Sequence, residues 1–437
     1  MRLVRRNLPG MPTVLMTVLT TVFTIAAAAF ATDWPHYRGP NWDGKTPDQI
    51  NVNWPADGPK VLWKAPIGDG SFGTFAVAGD RACVFISRRG EEGVLCLDAK
   101  GGKEQWYTKV GRTTDDRQGG PGPRTTPSLD GDKVYVLGTY FNLLCLNASD
   151  GKEVWSHDLA KEFQAQNDTN GIVQWGNAGS PIVEGDLVLV AGGGGKGQTF
   201  LAFDKNTGKL AWKSGTEKIT HATGTPATIH GVRQVIFFVQ SGLVSVEPKT
   251  GRELWRFAFP FNVSTASAPV VGGENGDVVY CSAAYEMGSA ACRVTKNGDK
   301  FDAKEMWRLK RSNNANHWTT PVYYRGYLYG LYGHRGKGQA KLECRDINTG
   351  DVKWSEDAPG AGGATTMAGN KLIVQHENAQ IVIVDPNPSG YRKLAAAQPL
   401  RGKAWSMAVV ANGRMFARTD KEAVCLDVAV EHSASAR

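Results

Sequence analysis

The turn-and-strand unit Asp-x-x-x-Gly-Lys-x-x-Trp is the feature that most restricts how this chain can fold. It stands at residues 98–106 and 204–212, with variants at 147–155, 247–255 and 346–354. The acidic or amide side chain can bond the turn backbone, and the glycine accepts a positive φ. The strand that follows carries a large apolar anchor. A tryptophan repeated at this spacing needs a neighbouring repeat to cover it, which places it between the units of a modular array.

A second signature precedes each unit: Ser/Thr-Pro, an apolar strand, a short Gly-Asp turn and another strand, as at 126–136. Ser180-Pro181, Thr225-Pro226, Ala268-Pro269 and Thr320-Pro321 open the same segment later in the chain. Together the two signatures give four alternating strands per repeat. The outer-strand anchors are Trp63, Trp106, Trp155, Trp212, Trp255, Trp307 and Trp354, with Leu394 in the last place. Their spacing, roughly 40 to 57 residues, is close to propeller-blade length. Blade five is read from Trp307 and Ala268-Pro269 alone, because 296–303 lacks the glycine four before the tryptophan.

The chain ends decide the count. Residues 409–427 make three strands without an outer one, and Val61-Leu62-Trp63-Lys64 is an outer strand without a blade. The predicted fold is therefore all-β: an eight-bladed propeller over 60–430, with four-stranded antiparallel blades, closed by the N-terminal outer strand. Closure removes the exposed edges of an open array. At 437 residues the chain exceeds what a single core supports, as such an array requires.

Arg2, Arg5 and Arg6, an apolar stretch at 14–29 and Ala29-Phe30-Ala31 read as a signal peptide, residues 1–31, cleaved near Ala31. The stretch is shorter than the roughly 20 residues of a spanning helix, so the mature chain is expected to have no transmembrane segment. Arg5-Arg6 is a weak twin-arginine signal. Residues 32–59 form a strap before the propeller and 431–437 a tail. Without the three arginines the formal charge falls from +8 to +5, with no basic block, so nucleic-acid binding is not expected.

Of seven cysteines, Cys96, Cys145, Cys344 and Cys425 occupy one strand position of the repeat and read as small core residues. Cys83 with Cys96, or Cys281 with Cys292, could pair across a hairpin.

These repeats resemble the PQQ-like β-propeller family over nearly all of the mature chain. Trp34-Pro35-His36-Tyr37-Arg38-Gly39-Pro40-Asn41-Trp42-Asp43-Gly44 looks like the strap of secreted bacterial members, and Trp318-Thr319-Thr320-Pro321 strengthens the match. The family includes enzymes and non-enzymes, and function must come from the site.

If Ser/Thr-Pro begins the innermost strand, the residues before it line one mouth of the channel. Counting three back from the proline position gives Phe72, Arg124, Ala178, Thr223, Ala266, Trp318, Gly362 and Trp405, with Trp175, Asn177, His221 and His317 nearby. Aromatic faces, an arginine and hydrogen-bonding groups suit a flat polar ligand or an extended polymer. The plainer alternative is a set of loop aromatics capping the channel. No carboxylate cluster accompanies His221 and His317, so neither a metal site nor a catalytic residue is assigned. The glycine runs at 192–195 and 336–338 lack the Gly-Lys-Ser/Thr ending of a phosphate loop and read as hairpin tips. The insertion 159–170 is expected to hold a short helix, and 112–124 a contact loop.

The expected function is an exported, non-catalytic scaffold that binds a protein or polymer in the periplasm or cell envelope. It is similar in fold to the BamB-like propeller of outer-membrane assembly. The alternative is a PQQ-dependent alcohol or sugar dehydrogenase. Larger quinoproteins of the resemblance stack the quinone between a tryptophan and an adjacent-cysteine disulfide, beside a calcium ion. This sequence has no Cys-Cys pair, and no acidic cluster can be placed in the funnel. PQQ and calcium are accordingly expected only under the alternative.

Overall fold

The computed structural model describes residues 32–116, 120–166, 175–261, 265–333, 340–360 and 362–430. The expected signal segment and tail, the second glycine run and parts of both insertions lie outside them.

Among the described residues eight four-stranded antiparallel blades are present, as the repeat predicts, and the strap strand Lys45–Thr46 joins the seventh as a fifth, parallel strand. From the channel outwards, blade one is Ala76–Ala78, Arg81–Arg88, Glu91–Asp98 and Glu104–Arg112. Blade two runs Ser128–Asp130, Lys133–Leu137, Asn142–Asn147 and Glu153–Asp158, and blade three begins at Ile182–Glu184. The inner strands of blades four to eight are Thr225–Ile229, Val270–Gly272, Val322–Tyr324, Gly363–Ala368 and Val409–Ala411. Val61–Pro66 pairs antiparallel with Glu422–Asp427 as the outer strand of blade eight, which closes the circle. The insertion after blade two contains the helix Leu159–Phe163, capped by the Asp158 side chain. The run 192–195 joins two paired strands of blade three.

The repeat's spacing has a packing cause. Cys145 faces Trp155 and Leu146 faces Glu153, so Val154 is extruded as a bulge that re-aims the indole. Cys96, Cys344 and Cys425 face Trp106, Trp354 and Trp63 in the same way, and a small side chain there leaves room for the ring. Each indole then reaches the next blade: Trp63 donates to Ala99 O, Trp106 to Ala148 O, Trp155 to Lys205 O and Trp307 to Ile347 O, at 2.8–3.1 Å. The glycine of the next repeat's turn lies flat on the ring. A Cβ on Gly102, Gly151, Gly208 or Gly251 would come within 2.3–2.8 Å of Trp63, Trp106, Trp155 or Trp212.

Blade five, which lacks that glycine, departs from the pattern. Trp255 of blade four donates instead to Gln234 of its own blade. A long hairpin, Gly288–Asn297 with Lys300–Leu309, covers the joint, and Arg308 packs over Phe257 and Phe259 and bonds Ala258 O.

One expectation needs correction, and one pairing the sequence left open is decided. Leu394 does not take the tryptophan place in blade seven: Ile383 pairs with Ala395 and Val384 with Lys393, so Leu394 is the bulged residue. Ala395 leaves the joint underfilled, and Val52 and Trp54 of the strap pack on the same cluster. Of the two candidate cysteine pairs, only Cys83 and Cys96 stand opposite each other and are disulfide-bonded. Cys292 faces Val279 and Cys281 faces Ala290, so those thiols are offset and remain free and buried.

The strap runs through the channel. Trp34 exchanges two backbone bonds with Val77, Pro35 O accepts from Leu129 N, and Lys45–Thr46 pairs parallel with Met367–Ala368 of blade seven. The Asp33 carboxylate holds Gly79 N of blade one and Asn412 of blade eight. Arg38 is 2 % exposed and donates to Thr320 O and Pro321 O of blade six. The strap thus fills the channel from the end where the inner strands turn back. The other end, at the Ser/Thr-Pro motifs, is the mouth.

Candidate functional site at the channel mouth

Hydroxyls in and beside the Ser/Thr-Pro motifs tie neighbouring blades together around much of the mouth. Thr74 N donates to Thr126 Oγ1, Thr126 N to Ser180 Oγ, Ser180 N to Thr223 Oγ1, Ala268 N to Thr320 Oγ1 and Met407 N to Thr74 Oγ1. Each bond crosses from one blade to the next, so buried backbone donors are satisfied between blades and not within them. Thr223 belongs to this set and is 3 % exposed, so its hydroxyl is committed to blade three. Asn177 is likewise buried, and its amide bridges Gly179 and the loop of Gly138.

The larger side chains come together in two groups. Phe72 and Trp405 lie 4.7 Å apart by ring centroid, Trp405 and Trp318 4.8 Å, Trp318 and His317 4.4 Å, and His317 and Tyr285 5.0 Å. This is a continuous aromatic run across blades five, six, eight and one. It skips blade seven because Gly362 has no side chain: a Cβ there would lie 2.5 Å from the Trp405 ring. Trp175 and His221 form the second group, edge to face at 6.0 Å. Arg124 joins the groups, donating to Trp175 O at 2.9 Å while its guanidinium lies over Phe72. Of the residues expected at the rim, Phe72, Arg124, Trp318 and Trp405 with His317, Trp175 and His221 come together here, whereas Thr223 and Asn177 spend their polar groups on the frame.

Three participants escaped sequence reasoning. The Lys403 ammonium lies 3.9 Å above the Trp405 centroid, Glu377 accepts from Trp405 Nε1 at 2.8 Å, and Tyr285 ends the run. Lys403 was within reach, two positions before a rim tryptophan. Glu377 and Tyr285 enter from loops between the second and third strands of their blades, which the proline count does not sample.

Behind the rim, Glu92 is fully buried and accepts from Thr139 N at 2.8 Å and Thr139 Oγ1 at 2.5 Å. Burial pushes its carboxyl up to about 7, against the Thr139 bonds and the Arg124 charge, which pull it down. Thr139 O in turn accepts from Asn177 N, so Glu92 supports the Trp175 loop through Thr139. Among the described residues no three His, Cys, Asp or Glu side chains are grouped to hold a metal ion.

The mouth offers cations, ring edges and half-buried aromatic surface. A family model described as outer membrane protein assembly factor BamB matches residues 90–330. The chain belongs to this family. A BamB of Burkholderia pseudomallei (strain K96243) is 24% identical over 356 residues, covering 72% of this chain and 84% of the relative. Two solved structures share the fold of this BamB-family propeller. The BamB of Moraxella catarrhalis aligns with a TM-score of 0.54 at 15% identity, over 85% of this chain and 98% of that one. The quinohemoprotein alcohol dehydrogenase of Comamonas testosteroni aligns at 0.64 and 13%, over 94% of this chain and 83% of that one. At such identities both describe architecture alone. No helix among the described residues is long and apolar enough to cross a membrane.

Proposed function

We propose that this BamB-family propeller is an exported, non-catalytic scaffold that docks a protein partner of the cell envelope through the strap-free mouth. The observation that carries the reading is the cation-flanked aromatic run from Phe72 through Trp405 and Trp318 to His317. Half-buried tryptophans beside an arginine are the usual anchors of a protein interface. The signal-like N-terminus and relatives named as outer membrane protein assembly factors support the envelope placement. Because the strap fills the other end, a partner docks on the mouth and does not thread through it.

The residues present fit a quinone and calcium poorly. Lys403 occupies a face of Trp405, and Glu377 is engaged by the Trp405 indole. Calcium wants six to eight oxygen ligands, and among the described residues no group of three His, Cys, Asp or Glu side chains begins such a set.

The test is the triple variant Arg124→Ala, Trp318→Ala, Trp405→Ala of the mature protein, compared with the parent by crosslinking to envelope fractions. The variant is expected to melt as one cooperative unit and to lose the parent's crosslinked partner. Retention of every partner would move the interface elsewhere, and PQQ-dependent dye reduction by the parent would overturn the scaffold reading.

A further inference from the structure

A cavity of about 200 Å³ lies inside the channel between the strap and blades four to six, running along the inner strands from the turn beside Gly276 up to Pro226 and Pro269. Arg38, Trp42, Pro226, Pro269, Val270 and Tyr323 line it, and Asn41 and Thr228 stand at its exposed edge. That volume is well beyond what a single water needs and admits a small organic molecule.

Arg38 is the unusual wall residue. All of its acceptors are neutral carbonyls, Thr320 O, Pro321 O and Asp43 O, and its Nε–H is buried with no acceptor at all. A buried guanidinium with an unused donor calls for an explanation by a missing partner. The wall carries one acid, Asp43, whose charge acts on Arg38 through space but which bonds Lys45 at 3.1 Å and not the guanidinium, and the other wall cation, Arg233, is neutralised by Glu184 at 2.7 Å. Burial lowers the Arg38 pKa by more than the neighbouring Asp43 charge raises it, which is the direction a further anion beside the guanidinium would oppose.

The strap backbone adds an independent observation. Arg38 has φ +64° and Trp42 φ +61°, two bulky residues in the left-handed region, and both face this cavity. Such conformations persist where the surrounding structure forces them and concentrate at ligand sites.

The geometry points to this cavity as a binding site for a small carboxylate with a short apolar body, the carboxylate beside Arg38 and the body against Trp42, Pro226, Pro269 and Val270. A free organic acid and the C-terminal residue of a peptide share this chemistry. The site is separate from the mouth and does not depend on the docking role.

Titration calorimetry and thermal shift of the mature protein decide the matter, with phenylacetate, phenylacetamide, a tripeptide ending in valine as free acid and as amide, and inorganic phosphate. Either acid should bind and raise the melting temperature, with its amide at least tenfold weaker. A tripeptide acid tighter than phenylacetate marks a chain terminus as the natural ligand, and the reverse order a free acid. Arg38→Gln and Thr228→Trp should each weaken binding at least tenfold, while Lys300→Glu on the blade-five hairpin leaves it unchanged. If Arg38→Gln does not fold, Thr228→Trp, which obstructs the cavity edge and leaves Arg38 and the strap sequence unchanged, carries the decision. Equal binding of acid and amide, no binding of either acid, equal displacement by phosphate, or full affinity in Thr228→Trp would overturn the assignment and leave the cavity to water.

Discussion

Gly208 of blade three lies against the indole of Trp155 of blade two, so closely that a Cβ on the glycine would sit 2.8 Å from the ring. The two belong to successive copies of one motif. Each copy's glycine therefore serves the preceding copy's tryptophan, and the repeat is a chain of staples between blades.

Gly208→Ala is expected to destabilise the protein by about 2–4 kcal/mol, combining the cost of a side chain at φ +71° with overpacking on the ring. Trp155→Ala should cost about 3–5 kcal/mol. Because the residues touch, the double variant should cost less than the sum, by about 0.5–3 kcal/mol. Urea unfolding of the four proteins reads this directly, and strict additivity would argue against the staple.

Deleting residues 33–65 removes the channel strap and the outer strand of blade eight together. Glu422–Asp427 would then present an open edge, and the inner strands would lose Trp34, Arg38 and their bonds. Calorimetry should show no cooperative transition near the parent's melting temperature. A parent-like melt would refute closure by this segment.

Glu92 makes stability depend on pH in an unusual direction. Its carboxyl titrates at about 7 in the fold against 4.5 when exposed. The folded state thus holds a proton that the unfolded state releases, and the contribution, present below pH 4.5, is lost as pH rises towards 7. The loss is about 3 kcal/mol at 1.36 kcal/mol per unit. Glu92→Gln should flatten this slope in melts taken between pH 4.5 and 8.

His36 acts in the opposite sense. It is buried, stacked on Trp42 at 3.8 Å, and its desolvated ring titrates at about 4 instead of 6.5. Its neutral form stabilises the fold above pH 6.5, and that stability drains as pH falls towards 4, again by about 3 kcal/mol. His36→Gln should lose less stability on acidification than the parent over that interval. An unchanged acid slope would place the sensitivity elsewhere, with His376 the next residue to test, since burial lowers it to about 4 as well.

The sequence by itself determined the eight blades, their four strands and the closure through Trp63. Strand alternation, turn glycines and the Trp spacing are local, and each repeat states them again. It also placed the rim residues at one mouth, because the proline motif marks where each inner strand begins. What only the tertiary structure decided are the contacts between residues far apart in the chain. Trp318 meets Trp405 across Gly362 because eight blades close a circle of fixed radius. Arg38 finds Thr320 and Pro321 because the strap enters that circle instead of crossing its outside. A one-residue bulge moved the blade-seven anchor from Leu394 to Ala395, and a two-residue register offset kept Cys281 from Cys292. Local patterns encode turns and alternation, whereas register and the filling of a central channel depend on which distant side chains compete for the same space.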